Sequence, residues 1–279
     1  MCCRKHESVP PSFLSVVIVL GLVIVLGLVL LAATGCGKSG NSSLPTDGEK
    51  LSVLNPEQAL ELKDGEETYV EGYLFIGAKR VVLASALLES YPPLPGAPTL
   101  PLKGLKTGDL VGLSSAPQGP GLPDVKWSDY LITLRGQVEE GTFEITATPP
   151  VFTAQEGELA LRFSPVSEPA RSGGAVWWVF DVTNRGSKTV VLTFASGQKA
   201  EVVLSRGGEQ AYRWSSGRAF TEAIETVSLE PGAAMPVVLN DDLSVEPGQY
   251  ELSATVTASV KIAGRTVTLP ALRGLLTVH

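Results

Sequence analysis

Strong nucleophiles and proton-transfer groups are scarce in this sequence. The cysteines are Cys2, Cys3 and Cys36, and the histidines are His6 and His279. Acyl-transfer chemistry needs a thiolate or a hydroxyl paired with a base, most often an imidazole. Beyond Cys36 no thiol remains, and His279 is the last residue. The same shortage rules out a disulfide framework or a Cys-rich zinc site after residue 36. Gly37-Lys38-Ser39 lacks the upstream strand and glycine of a phosphate-cradling loop. Carboxylates are plentiful, yet Asp241-Asp242 beside Asn240 reads as a turn, or at most a partial Ca²⁺ contact. No catalytic residue, metal site or cofactor is expected, and the chain is read as a non-enzyme.

Two features keep a chemical use. One is Cys36 as acceptor of a covalent group. The other is the run Tyr212-Arg213-Trp214-Ser215-Ser216-Gly217-Arg218-Ala219-Phe220, in which Arg213 and Arg218 bracket a tryptophan. Aromatic and Arg side chains are favoured binding anchors, and a guanidinium over an indole contributes roughly 0.5–2 kcal/mol. Trp214, Arg218 and Phe220 are therefore the candidate binding residues. The competing reading is structural: Trp214 plugs the end of a β-sandwich and Arg218 ties down a loop.

Around Cys36, Arg4 and Lys5 open the chain, and Phe13 to Leu31 is apolar apart from Ser15, Gly21 and Gly27. Leu31-Ala32-Ala33-Thr34-Gly35 then leads into Cys36 with small residues that an extended peptide can carry into a signal peptidase. This arrangement resembles the lipobox of bacterial lipoproteins, with Ala33 where Leu is usual. The resemblance implies a signal peptide over 1–35, a diacylglyceryl group on Cys36, and a lipid anchor on the extracytoplasmic face of the cell membrane. The alternative is an uncleaved transmembrane anchor, since the apolar run nears the ~20 residues that span a bilayer. Residues 36–50, rich in Gly, Ser and Asn, read as a flexible tether.

Two β units follow. In the first, 51–150, Asn55-Pro56-Glu57 starts a short helix. Tyr69–Ile76 and Arg80–Leu83 form a hairpin, as do Tyr130–Val138 and Thr142–Thr146 about Glu140-Gly141. Between them lies a proline-heavy excursion from Ser90 to Asp124. The whole resembles a small OB-like barrel. Nucleic-acid binding by such a barrel would need a basic groove with aromatic platforms. Only Tyr91 and Trp127, with Lys103, Lys106 and Lys126, offer themselves. A net charge of −7 repels polyanions, so no nucleic acid is expected; a peptide or glycan groove under the proline loop fits better.

In the second unit, 155–279, short alternating runs recur: Leu159–Phe163, Val176–Val182, Val190–Phe194, Glu201–Leu204, Ala211–Trp214, Pro236–Leu239, Tyr250–Val256 and Arg265–Leu269. Turn signals separate them, including Arg206-Gly207-Gly208, Glu230-Pro231-Gly232 and Glu246-Pro247-Gly248. The spacing predicts an immunoglobulin-like β-sandwich. Strand alternation sends one of Trp177 and Trp178 to the core and the other outward, towards a partner or the first unit.

The succession Phe180-Asp181-Val182-Thr183-Asn184, Val190 to Gln198, Tyr212 to Phe220, Leu229-Glu230-Pro231-Gly232 and Pro247-Gly248-Gln249-Tyr250 resembles the BsuPI-type intracellular proteinase inhibitor family. It covers roughly 158–260. Ala200-Glu201 stand where the family usually has Tyr-Asp, and Pro236–Leu239 stand where a Trp is common. The resemblance implies a protein-interaction module, with a protease or another envelope protein as partner. The alternative is a non-inhibitory envelope scaffold or ligand-binding lipoprotein. The leader generates the first test. Cys36→Ser should leave an unprocessed precursor or a released soluble form, seen by intact mass; an unmodified Cys36 still joined to Gly35 in the natural protein would make residues 13–31 a transmembrane anchor.

Overall fold

Local chemistry sets the first elements of the described chain. The computed structural model describes residues 52–116, 124–167, 169–262 and 264–279; Cys36, the leader and the tether lie outside them. β1 (Val53–Leu54) leads into α1 (Pro56–Leu60), the one α-helix among the described residues. Asn55 caps it reciprocally: its side chain accepts from the Gln58 N–H at 2.9 Å, and the Gln58 side chain accepts from the Asn55 N–H at 3.0 Å. No helix of the described residues is long and apolar enough to cross a membrane.

The first β unit continues with β2 (Glu67–Gly77), β3 (Arg80–Leu88), β4 (Leu94–Lys103), β5 (Ser114–Ser115), β6 (Lys126–Glu139) and β7 (Thr142–Ala147). Both expected hairpins form. Glu140 (φ 50°) and Gly141 (φ 73°) turn β6 into β7, the two positive φ values that a two-residue hairpin loop of this hand requires. The sheet order is β1-β2-β3-β4-β7-β6-β5, and β6 also pairs with β2, so five strands close on themselves. Closure runs through a parallel contact, Leu102 with Phe143, between β4 and β7. On the other side of β7, Gly136 lets β6 come close, because a Cβ there would overlap the Glu144 carbonyl oxygen. Val70, Leu74, Leu83, Leu100, Ile132, Leu134 and Phe143 share the interior core, with Ala59 of α1 packed among them.

The described part of the excursion, residues 90–116, is more ordered than its composition predicts. It contains β4, a ten-residue strand holding Pro95, Pro98 and Pro101. Proline cannot donate to a ladder, so it survives in strands at edges and bulges. Pro98 falls where the register with β3 shifts between Ala84 and Ala86, and β7 reaches only Leu102 and Lys103 on the other side.

The second unit comprises β8 (Phe152–Glu156), β9 (Leu159–Pro165), β10 (Gly174–Asn184), β11 (Val190–Phe194), β12 (Ala200–Arg206) and β13 (Glu209–Arg213). These are followed by β14 (Glu225–Leu229), β15 (Ala234–Leu243), β16 (Gly248–Val256), β17 (Ser259–Ile262), β18 (Arg265–Thr268) and β19 (Leu272–Val278). One sheet runs β15-β10-β9-β8, a second β14-β11-β17-β18 and a third β13-β12-β16-β19. The second and third are halves of one bent layer. The chain passes directly from β11 to β12 and from β16 to β17, and the Thr257 N–H donates across that crease to the Lys199 carbonyl at 3.0 Å. Phe163, Trp178, Phe180 and Val182 of the first sheet meet Leu192, Phe194, Val202, Leu204, Leu252 and Ala254 of the bent layer in one core. Asn240-Asp241-Asp242 form no turn: they pair within β15 against Trp177, Val176 and Ala175 of β10.

The two β units meet along an apolar seam within one compact unit, residues 49–279. Val179 and Val166 are fully buried among Leu110, Val111 and Tyr130 of the barrel, and Trp177 packs against the same cluster. The outward member of the tryptophan pair thus covers the first unit. Around the apolar contact the Tyr130 hydroxyl donates to the Val111 carbonyl, the Arg162 guanidinium donates to the Gly108 carbonyl, and the Thr133 N–H donates to the Val166 carbonyl at 3.0 Å. Burial pushes the Asp181 carboxyl above its ordinary value, opposed by the Gly112 N–H and the Arg162 charge. Gly112 has φ 67°, and a Cβ there would overlap the Val179 side chain. Gly112→Ala therefore strains the backbone and the seam together and should cost about 1–3 kcal/mol, read as a melt lower by several degrees; an unchanged melt would show that the seam contributes no stability.

Candidate functional site

The expected binding residues lie where β13 leaves its sheet. The Arg206-Gly207-Gly208 hairpin turns β12 into β13, with both glycines at positive φ. Past Arg213 the Trp214 N–H still donates to the Val202 carbonyl at 2.9 Å, and the Ser216 and Arg218 N–H groups close a turn onto Arg213 and Ser215. That turn brings Trp214, Arg218 and Phe220 into contact. The guanidinium carbon of Arg218 stands 4.6 Å from the Trp214 ring centroid, and the Phe220 ring lies 5.7 Å from it.

Trp214 is 9% exposed and belongs to the sandwich core, with its ring N–H donating to the Asn240 carbonyl at 3.2 Å. The Arg218 Nε donates to the Trp214 carbonyl at 2.8 Å and its Nη2 to the Asn240 carbonyl at 3.3 Å. The same Nη2 pairs with Asp241 Oδ1 at 2.9 Å. Asp241 also accepts the Tyr212 hydroxyl at 2.9 Å, and that hydroxyl accepts the Trp178 ring N–H at 3.3 Å. Burial is the main reason the Tyr212 phenol is held above its usual range, so it stays a donor. A continuous chain of partners therefore runs from the core, Trp178, to the surface, Arg218.

A second carboxylate fixes the other side of the turn. Glu201 accepts from Arg213 Nη1 at 3.0 Å, the Ser215 N–H at 3.1 Å, the Ser215 hydroxyl and the Gln198 side chain. Where the family pattern has Tyr-Asp, this chain keeps a carboxylate at Glu201, while Ala200 is fully buried.

The frame opens onto a segment that sequence reasoning missed. From Arg218 to Ile224 the chain runs without a turn or bend before β14 begins. It links β13 and β14, edge strands of different sheets. The Gly197 N–H donates to the Thr221 carbonyl at 2.9 Å, and a Cβ on Gly197 would lie 2.6 Å from the Thr221 hydroxyl. Four residues on, Glu225 pairs with Phe194. Glu222, Ala223 and Ile224 bridge these two points, and the Ile224 side chain is 74% exposed. Its signal in the sequence was only an aliphatic residue in a run without turn chemistry.

Other motif residues hold turns. The Asn184 amide donates to the Lys188 and Leu229 carbonyls, both at 2.8 Å, while its oxygen accepts the Gly186 N–H at 2.9 Å. The Tyr250 hydroxyl donates to the Glu246 carbonyl at 2.6 Å, a bond of tyrosine-corner type. In the first unit Tyr91 is 74% exposed and meets buried Trp127 edge-on at 6.2 Å. Among the described residues no group of three or more His, Cys, Asp or Glu is placed to hold a metal ion.

The family model described as BsuPI, intracellular proteinase inhibitor, matches residues 165–261, and every element of the frame falls inside that range. No curated protein matches the chain. Among solved structures, the CARDB domain of a Pyrococcus furiosus protein in complex with di-metal ions is 18% identical, with 47% of this chain and 90% of that one covered and a TM-score of 0.26. A β-glucosidase involved in saponin metabolism from intestinal bacteria is 16% identical, with 51% of this chain covered and a TM-score of 0.23. The overlay spans 18% of that enzyme. At these scores neither overlay bears on the assignment.

The frame makes a stability prediction. Trp214→Ala removes a core side chain and should cost about 3–5 kcal/mol. Arg218→Ala removes a donor from the Trp214 carbonyl, the Asn240 carbonyl and Asp241, of which the last two keep the Trp214 ring N–H and the Tyr212 hydroxyl, and should cost roughly 1–3 kcal/mol. Arg218→Lys should recover only part of this, because an ammonium cannot serve three acceptors in one plane. Thermal melts of the three variants check the order, and equal melts for Arg218→Ala and the natural protein would remove Arg218 from the frame.

Proposed function

We propose that this chain is a non-catalytic interaction protein that engages a proteinase through its second β unit, displayed from the membrane by a lipid on Cys36. The observation that carries the reading is the BsuPI match over 165–261, combined with the frame that this stretch builds around Trp214. Structure devoted to holding an exposed turn in place is what a preformed contact needs, because ordering costs are then met before binding. The partner surface is placed at the Trp214–Arg218–Phe220 block. The family's description says intracellular, whereas the outward location rests on the leader and Cys36 alone.

The first unit is read as an OB-like barrel, supported by five strands closed in a Greek-key order through one parallel pair. The second is read as immunoglobulin-like, supported by the tyrosine-corner bond of Tyr250. Pro149-Pro150 is the proposed boundary between two domains, 51–150 and 155–279, which cover one another at the Val179 seam. Neither nucleic acid nor a cofactor enters this reading.

The test is inhibition. The full-length protein, purified in detergent, should slow at least one member of a panel of serine endopeptidases in a dose-dependent manner at micromolar concentration or below. Absence of inhibition across the panel would replace this reading with a non-inhibitory envelope scaffold.

A further inference from the structure

We propose that Glu222–Ile224 is the segment a proteinase receives, with Ile224 as the side chain read by an aliphatic specificity pocket. The inference deepens the proposed inhibitory role and rests on it.

Three features of the segment converge. The first is its path. A peptide enters a serine endopeptidase cleft as an added strand, so it must be free of turns and reachable from the side. Arg218–Ile224 has neither turn nor bend, no residue in it has positive φ, and it joins edge strands that have no further neighbour in their sheets.

The second is restraint at both ends. Upstream, Arg218 is fixed by the Trp214 and Asn240 carbonyls and by Asp241, and Phe220 leans on Trp214. The Thr221 carbonyl is tied to the Gly197 N–H. Downstream, β14 is paired to β11 from Glu225 onward, and the Glu225 carboxylate is bridged to Lys199. Only three residues lie between the ties, so little freedom is lost when a cleft closes on them.

The third is the side chain on offer. Ile224 belongs to no core cluster and projects a β-branched aliphatic group from a run of exposed residues. Such a group suits the small apolar pocket of elastase-type enzymes rather than the acidic pocket that selects Arg and Lys. Trp214, Arg218 and Phe220 then hold the segment from the flank of the contact, outside the specificity pocket itself.

Inhibition constants of the full-length protein against elastase, chymotrypsin and trypsin, alongside its melt, test this. The natural protein should inhibit elastase best. Ile224→Gly should weaken elastase inhibition on the order of tenfold or more, and Ile224→Arg should lose elastase and gain trypsin by a similar factor, about 1.4 kcal/mol each. Melts of both variants should match the natural protein. If the natural protein inhibits elastase but both variants keep its constants within about twofold, a factor worth under 0.5 kcal/mol, the contact lies elsewhere and the inhibitory reading survives alone. Inhibition confined to trypsin or chymotrypsin overturns the aliphatic assignment. Rapid cleavage within 222–225 without inhibition makes the segment a substrate and overturns the proposal. Inhibition of none of the three by any form overturns the proposal, and the reading beneath it falls with it only when the wider panel is uninhibited too.

Discussion

Strand β10 is buried on both faces, and the fold of residues 52–279 depends on it. Its even-numbered side chains, Trp178, Phe180 and Val182, occupy the sandwich core. Its odd-numbered ones, Trp177 and Val179, lie against the barrel. Because side chains alternate with a period of two, a slip of one residue would exchange these sets and ruin both interfaces at once. Ten residue pairs with β15 on one side and seven with β9 on the other hold the register. A single strand thereby sets the position of two cores.

That register reaches the frame through β15. With Trp177 opposite Asn240 and Val176 opposite Asp241, the Asn240 carbonyl meets both the Trp214 ring N–H and the Arg218 guanidinium. Asp241 faces Tyr212 and Arg218. The ion pair alone is a weak fastener, since Arg218 is 36% exposed and exposed pairs contribute roughly 0–1 kcal/mol. Strength comes from convergence instead. Burial of the indole fixes the carbonyl that Arg218 binds, and the guanidinium in turn lies over the indole, so the two cannot shift separately.

The residues that declared themselves in the sequence did so through local chemistry. Asn55-Pro56-Glu57, Glu140-Gly141 and Arg206-Gly207-Gly208 form their helix start and turns wherever tertiary packing allows, and all three are found. Trp177 and Trp178 divide as alternation demands. What stayed hidden depends on distant partners. β4 carries three prolines and is a strand only because β3 and the barrel closure accept them at a bulge and an edge. β14, Glu-Thr-Val-Ser-Leu, is polar on its exposed side and owes its place to β11. Asn240-Asp241-Asp242 has turn-forming composition but pairs with Trp177, Val176 and Ala175 near the start of β10, where the ladder overrides propensity. The Trp214–Phe220 block was visible as chemistry, while the segment beyond it acquires meaning only from Gly197 and Phe194, more than twenty residues upstream.

The absence of any thiol after Cys36 explains why the frame is built from an indole and a guanidinium. Small secreted scaffolds commonly restrain an exposed segment with disulfides because their cores are too small to do so. Here two β units share a seam, and the sandwich core is large enough to bury Trp214 beneath the turn. A crosslink acts largely by restricting the unfolded chain. The Trp214–Arg218–Asp241 arrangement acts only in the folded state, and its hold is therefore coupled to the integrity of the whole sandwich. A segment restrained in this way keeps its shape under reducing and oxidising conditions alike. The hold of this frame on the segment therefore does not depend on the redox state of its surroundings.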